Sequence, residues 1–229
     1  FYIEAAMITT ESLNKTYRSR LVLQNVSLDA TAGCSILLGS NGAGKTTLLR
    51  ILAGLARPDS GRVSIAGLEL HHHPQRFRRM IGFFSHQTML YRDLSPLQNL
   101  LFYSRLYRIR NPRHRIKGML QRAGLSDRKD DPVRDLSHGM QQRLALLRAT
   151  LHNPPVLLLD EPTRGLDTDA LHFLNDLLQQ ALEEGKAILT ATHHPENLAC
   201  PVVQVLQLRN GRIINDADGK TMAGEVDHA

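Results

Sequence analysis

The stretch CSILLGSNGAGKTTLLRILAGL, Cys34 to Leu55, decides the fold. Its opening, CSILL, is a short apolar run of the kind that forms a buried strand of a parallel sheet. GSNGAGKTT, Gly39 to Thr47, then matches G-x-x-x-x-G-K-[ST] without a gap. Gly39, Gly42 and Gly44 allow positive φ and close backbone approach, so that N–H groups along Gly39, Ser40, Asn41, Gly42, Ala43 and Gly44 can point at a β-phosphate. Lys45 adds a mobile cation for the β- and γ-phosphates. Thr46 offers a hydroxyl to Mg²⁺, and with Thr47 it opens a helix, TTLLRILAGL, whose positive dipole end faces the anion. Such a pattern alone also arises as a chance glycine-rich turn; the strand before it and the helix after it argue for a phosphate cradle.

Further along, LSHGMQQRLALLRATLHNPPVLLLDEPTRGLD, Leu136 to Asp167, places a polar helix start ahead of an apolar strand that ends in Asp160 and Glu161. Two adjacent acids at a strand end are how a nucleotide hydrolase sets a magnesium carboxylate beside a water-activating one. Without the phosphate cradle upstream, the same pair would read as a solvated acidic turn. Ser137 reads as an N-cap for a helix with Leu144, Leu147 and Leu151 on one stripe, leaving free N–H groups for an anion.

The surrounding chain supports an α/β organisation, with a sheet-rich first half followed by a helical insert. Short strands are expected around Leu21–Leu28, Cys34–Leu38 and Val63–Ala66, with PDSG at Pro58–Gly61 as a turn. From Pro96, LQNLLFYSRLYRI and HRIKGMLQRAGL carry apolar residues at helical intervals, separated by Asn111 and Pro112. The α/β pattern returns with VLLLD, a helix from about Thr168 to Glu183 and the strand AILTAT. VVQVLQL and RII flank Asn210 and Gly211, a favoured hairpin turn. These boundaries predict one domain over residues 7–216, with its core at 7–87 and 152–216 and the helical insert at about 88–151. Residues 1–6 precede a plausible start at Met7 and read as an extraneous leading remnant without functional weight, and 217–229 read as a loose polar tail.

The chain has 229 residues, enough to bury a full core. No run approaches the roughly eighteen apolar residues of a spanning helix. Cys34 and Cys200 fit core filler in a reducing compartment better than a disulfide framework or metal knuckle. His71, His72 and His73 have no accompanying cysteine or carboxylate cluster and read as a solvated turn. The net charge is +6, and it is concentrated: from Arg57 to Arg134 sixteen Lys and Arg face six Asp and Glu. Phe102, Tyr103 and Tyr107 fall at helical spacing rather than interleaved for base stacking, which disfavours nucleic acid as a partner. An anionic membrane leaflet, a partner's acidic loops or simple solvation all account for the basic middle.

Taken in order, these motifs over about Met7–Ile214 resemble the nucleotide-binding subunit of a bacterial ATP-binding cassette (ABC) transporter. The resemblance implies a P-loop NTPase core of the RecA-like kind, with an N-terminal antiparallel β subdomain and an inserted α-helical subdomain, and an ATPase with ATP and Mg²⁺ as its ligands. It assigns Tyr17, in NKTYRSRLVL, to stacking on adenine. Gln87, in GFFSHQTMLY, corresponds to the glutamine between core and helical insert that reaches Mg²⁺ or the attacking water. LSHGM resembles the family's LSGGQ signature at Leu136, Ser137 and Gly139, with His138 in place of a glycine and Met140 in place of the glutamine. Asp167, in TRGLD, corresponds to the dimer-contact aspartate, with Arg164 where a small residue is frequent. His193, in ATHHPE, corresponds to the switch histidine that holds γ-phosphate and water.

The resemblance further implies a head-to-tail dimer, a homodimer in its simplest form, with each nucleotide between one subunit's phosphate loop and the other's Ser137 helix. Glu161, His193, Gln87 and Lys45 then carry catalysis, and Thr46, Gln87 and Asp160 position Mg²⁺. A separate transmembrane permease is the implied partner, which would hold the chain at the cytoplasmic face of the cell membrane. RPDSGRV, SHQ at Ser85–Gln87 and LLFYSRLY are similar to subunits of the haem-exporter type linked to cytochrome c maturation. The alternatives from the same motifs are a soluble ABC ATPase acting on DNA or ribosomes, a P-loop kinase or GTPase, and a non-catalytic binding subunit.

Overall fold

A computed structural model describes residues 6–214; the 217–229 tail and nearly all of the 1–6 remnant lie outside the described residues. The first layer is an antiparallel sheet in the order β2-β1-β4-β5, made of β1 (Ile8–Tyr17), β2 (Arg20–Ala30), β4 (Ser60–Ile65) and β5 (Leu68–Glu69). The second is a six-stranded sheet, β10-β9-β3-β8-β7-β6, from β3 (Gly33–Leu38), β6 (Ile81–Ser85), β7 (Val156–Asp160), β8 (Ala187–Ala191), β9 (Val202–Arg209) and β10 (Arg212–Ile214). All its neighbours are parallel except β9 and β10. The apolar runs VLLLD and AILTA are buried along their whole length, as strands covered on both faces must be.

Six helices flank the sheets: α1 (Lys45–Leu52), α2 (Pro74–Arg79), α3 (Pro96–Leu106), α4 (Pro112–Arg122), α5 (His138–Thr150) and α6 (Thr168–Glu183). One core lies between the two sheets around α1, with Leu48, Leu52, Leu158 and Leu189 in it. The other fills the opposite face of the parallel sheet, where α5 and α6 bring Leu144, Leu147, Leu174 and Leu178 onto Leu157 and Ile188. Arg148, buried on α5, ties the layers together: its guanidinium donates to the Phe83 carbonyl at 2.6 Å and lies 5.6 Å from the centre of the Tyr103 ring on α3. Tyr107 stacks on His152 at 3.7 Å, so these aromatics pack the helical side as their spacing suggested.

The expected strands and helices recur, with differences at α1, β1, β5, β6 and α2. The phosphate-loop helix is shorter than TTLLRILAGL: it starts at Lys45 and stops at Leu52, because Gly54 turns left-handed at φ 67 and reverses the chain. β1 was not expected, since bulges and a left-handed Ser12 break its alternation. Nor were β6 and α2, which sit where the sequence suggested only a loop and a histidine turn. His71, His72 and His73 are exposed.

The parallel strands end in step. Asp160 is opposite Ser85 on one side and Ala191 on the other, and Leu37 is opposite Ala191. The loops that follow β3, β6, β7 and β8 therefore converge at one edge, the carboxyl end of the sheet, where open α/β folds place ligands.

Candidate nucleotide site

A cleft of about 940 Å³ opens at that edge. It is lined by the phosphate loop, by Asp160 and Glu161 after β7, by His193 after β8 and by Tyr17 at the end of β1. The loop is built for an anion. Gly42 sits at φ 78 with open space where a Cβ would be, and Gly44 sits at φ 108 where a Cβ would come within 3.0 Å of the Val22 carbonyl. Gly44 heads α1 without any side-chain cap, so the first N–H groups of the helix face the cleft unspoken for. Lys45 is 7% exposed, and its Nζ donates to the Gly39 carbonyl at 2.6 Å and the Ser40 carbonyl at 3.3 Å. Those oxygens hold the cation inside its own loop.

Thr46 Oγ1 donates to Asp160 Oδ1 at 3.2 Å. Asp160 is 2% exposed, and burial pushes its carboxyl above the usual range, with the neighbouring Glu161 adding to the rise; the Thr46 hydrogen bond, His86 and Lys45 pull it back. Two hard oxygens converging beside a carboxylate that is costly to ionise fit a divalent cation, which would offset that cost. Glu161 is held at φ 49, a left-handed conformation that a non-glycine residue adopts only under constraint. Its amide donates to the Ala191 carbonyl at 2.8 Å, and this fixes the side chain toward β8. His193 completes the group: Nε2 lies 3.4 Å from Glu161 Oε1, 3.0 Å from Asn41 Oδ1 and 3.1 Å from Lys45 Nζ. With a proton on Nε2 the ring donates to Asn41; without one it accepts from Lys45.

Of the residues singled out in sequence, Tyr17, Ser40, Asn41, Gly42, Gly44, Lys45, Thr46, Thr47, Asp160, Glu161 and His193 line this cleft together. Tyr17 is half exposed with Lys15 Nζ 5.1 Å from its ring centre. Gln87 is outside the main cleft, in a small recess shared with Thr46 and Asp160, where its carbonyl accepts from Ser85 Oγ at 3.1 Å. Ser137 and Gly139 do not line the cleft. They form a second group: Ser137 caps α5 by accepting from the Met140 amide at 3.2 Å, and Gly139 packs so closely on Asp167 that a Cβ would overlap its carboxylate. Asp167 in turn caps α6 through the Ala170 amide at 2.8 Å. His138 Nε2 lies 3.3 Å from Gln142 Nε2 and faces Gly165, which also borders the cleft.

Sequence reasoning missed His86, Arg20, Arg164 and Asn197 as cleft residues. For His86 and Arg164 the signal was their place beside motif residues; Arg20 and Asn197 reach the cleft only through the fold.

Fold and cleft together define a P-loop nucleotide-binding protein. The family model for ABC transporters matches residues 23–164, and the chain belongs to that family, as an ATP-binding subunit and ABC ATPase. It is similar to Nod factor export ATP-binding protein I of Ralstonia nicotianae, with 37% identity over 217 residues that cover 93% of this chain and 67% of that protein. The protein of the same name from Burkholderia thailandensis is 35% identical over 223 residues, covering 96% and 73%. Among solved structures, an ATP-binding subunit of an ABC transporter superposes with a TM-score of 0.81 at 28% identity, covering 90% of this chain and 88% of that one. A dimeric ATP-binding cassette in a post-hydrolysis state with ADP and Pi gives 0.76 at 28% identity, covering 91% and 97%. Among the described residues no helix is long and apolar enough to cross a membrane.

Proposed function

We propose that the chain hydrolyses ATP as one half of a head-to-tail dimer and drives export through a separate transmembrane permease, lying at the inner face of the cell membrane. One observation carries the dimer: Lys45, Asp160, Glu161 and His193 share a cleft, while Ser137 and Gly139 sit apart from it on Asp167. Within one chain the α5 start has no nucleotide to meet, so its natural target is the γ-phosphate in a second copy's cleft. The dimeric relative with ADP and Pi supports this pairing.

In this reading the Gly39–Thr47 loop and Lys45 bind the phosphates, and Tyr17 stacks on the base. Thr46 and Asp160, with Gln87 from the adjoining recess, would hold Mg²⁺, which supplies charge neutralisation at the β- and γ-oxygens. Glu161 accepts the proton of an in-line water, and His193 orients that water against the γ-phosphate. Ser137 and Gly139 of the second copy close over the same phosphate, and Asp167 meets the opposing subunit beside them.

Export is supported by the names of the relatives from Ralstonia nicotianae and Burkholderia thailandensis. The same names favour a Nod-factor-export type over the haem-exporter type that RPDSGRV and LLFYSRLY suggested, so cargo assays begin with the former.

Glu161→Gln tests the chemistry. Loss of a general base slows turnover by roughly 10²- to 10⁴-fold, so the variant should keep ATP binding while single-turnover hydrolysis collapses. Hydrolysis at the wild-type rate would remove Glu161 from its role. Affinity capture from cells should bring down a polytopic membrane subunit; recovery of DNA or ribosomes alone would contradict the transport reading.

A further inference from the structure

We propose that a second recess, at the opposite end of the parallel sheet from the nucleotide cleft, binds a single-chain anionic amphiphile, a fatty-acid carboxylate. The recess has a volume of about 540 Å³, inside the roughly 300–1,000 Å³ range of small-molecule sites. Leu157 near the start of β7, and Asn153 and Lys186 just ahead of β7 and β8, place it at the amino ends of the strands. The nucleotide cleft is at their carboxyl ends.

Its walls are helices α4, α5 and α6, and its chemistry is divided. Leu147, Leu157 and Phe173 form a buried apolar floor, with Met119 and Leu177 partly exposed beside them. Arg115, Arg122 and Lys186 stand at the rim, and no carboxylate lines it. Lys186 is paired with Glu184 at 2.7 Å, and Arg122 donates to the neutral Gln180 at 2.9 Å. Arg115 has no ion pair of its own among the described residues; the carboxylate that senses its charge is Glu184, which Lys186 already holds.

An occupant must therefore place apolar atoms on the floor and negative charge at the mouth. A neutral chain gains nothing from Arg115, Arg122 and Lys186, which together outweigh Glu184, and a cationic one is repelled by them. A carboxylate accepts from Arg115 at the mouth while its chain covers Leu177 and Met119.

Isothermal titration calorimetry of the full chain with decanoate, decanol and decyltrimethylammonium below their aggregation concentrations tests the proposal. Decanoate should saturate at one per chain, with the other two binding weaker by about tenfold or more, the loss expected of one charge-assisted contact. Arg115→Glu, a surface change that should leave ATP binding and melting temperature unaltered, should weaken decanoate by a similar factor. Leu177→Trp should block the recess. Equal binding of decanol, absence of saturable decanoate binding, or decanoate affinity unchanged in Arg115→Glu would each overturn the assignment.

Discussion

Helices α1 and α5 both carry a glycine at or just inside their starts, yet they start differently. α1 follows a left-handed Gly44 with no side-chain cap, and its loop carbonyls hold Lys45. α5 follows Ser137, whose hydroxyl already accepts from the Met140 amide, and its Gly139 is pressed on Asp167. An uncapped start beside a cation, a buried Asp160 and a strained Glu161 is equipped to hold and cleave a triphosphate. A capped start braced by α6 presents a fixed face, suited to meeting a phosphate that something else holds. In the proposed dimer, this difference divides one binding site between two copies of the chain.

Four substitutions at and behind the two starts should separate them, beginning with the largest effect. Behind α5, burial lowers the His152 pKa to about 4, with Arg148 adding to the fall and the Ile81 carbonyl opposing it. The unfolded chain, with its histidine near 6.5, binds more protons between those values, so stability is full above about pH 6.5 and declines toward pH 4, by about 3 kcal/mol at most. Melting curves across that range should show the decline, and His152→Gln should flatten it. An unchanged slope in that variant would detach α5 packing from His152.

Next, Gly139→Ala drives a methyl into the Asp167 carboxylate and should cost about 1–3 kcal/mol, seen in denaturant midpoints. ATP affinity of the single chain should persist, while ATP-driven dimerisation fails. Gly42→Ala should do the reverse, since its penalty is a left-handed φ in the loop itself, about 1–2 kcal/mol, felt as weaker ATP binding. If both variants lose ATP affinity alike, the two starts are not separate devices.

The smallest change is Ser137→Ala. Loss of the cap should lower stability by about 1 kcal/mol. In the proposed dimer, hydrolysis at high protein concentration should fall by more than stability explains, because there the hydroxyl also meets the second copy's phosphate.

Much of this was legible in the chain. GSNGAGKTT, VLLLDE and AILTATH each join a buried strand to a polar turn, so local pattern alone located three of the loops that meet at the cleft. Asn210 and Gly211, at φ 48 and 74, form the hairpin their identities suggest. What pattern could not supply was distance. β1 is hidden by its bulges, and β6 is too short to show a period. The Gly139–Asp167 contact joins residues whose separation in sequence says nothing about packing. Arg20 follows Tyr17 by three residues and Asn197 follows His193 by four, yet neither residue type marks a nucleotide contact in the pattern.

The shared site can be tested most directly by mixing two inactive variants. Lys45→Ala damages the phosphate loop and spares the α5 start; Ser137→Arg does the opposite. If each nucleotide lies between the loop of one copy and the α5 start of the other, a mixed dimer contains one intact site, and combining the variants should restore ATP hydrolysis that neither shows alone. Mixed dimers that form, by light scattering with ATP and Mg²⁺, yet remain inactive would contradict a site built from two chains.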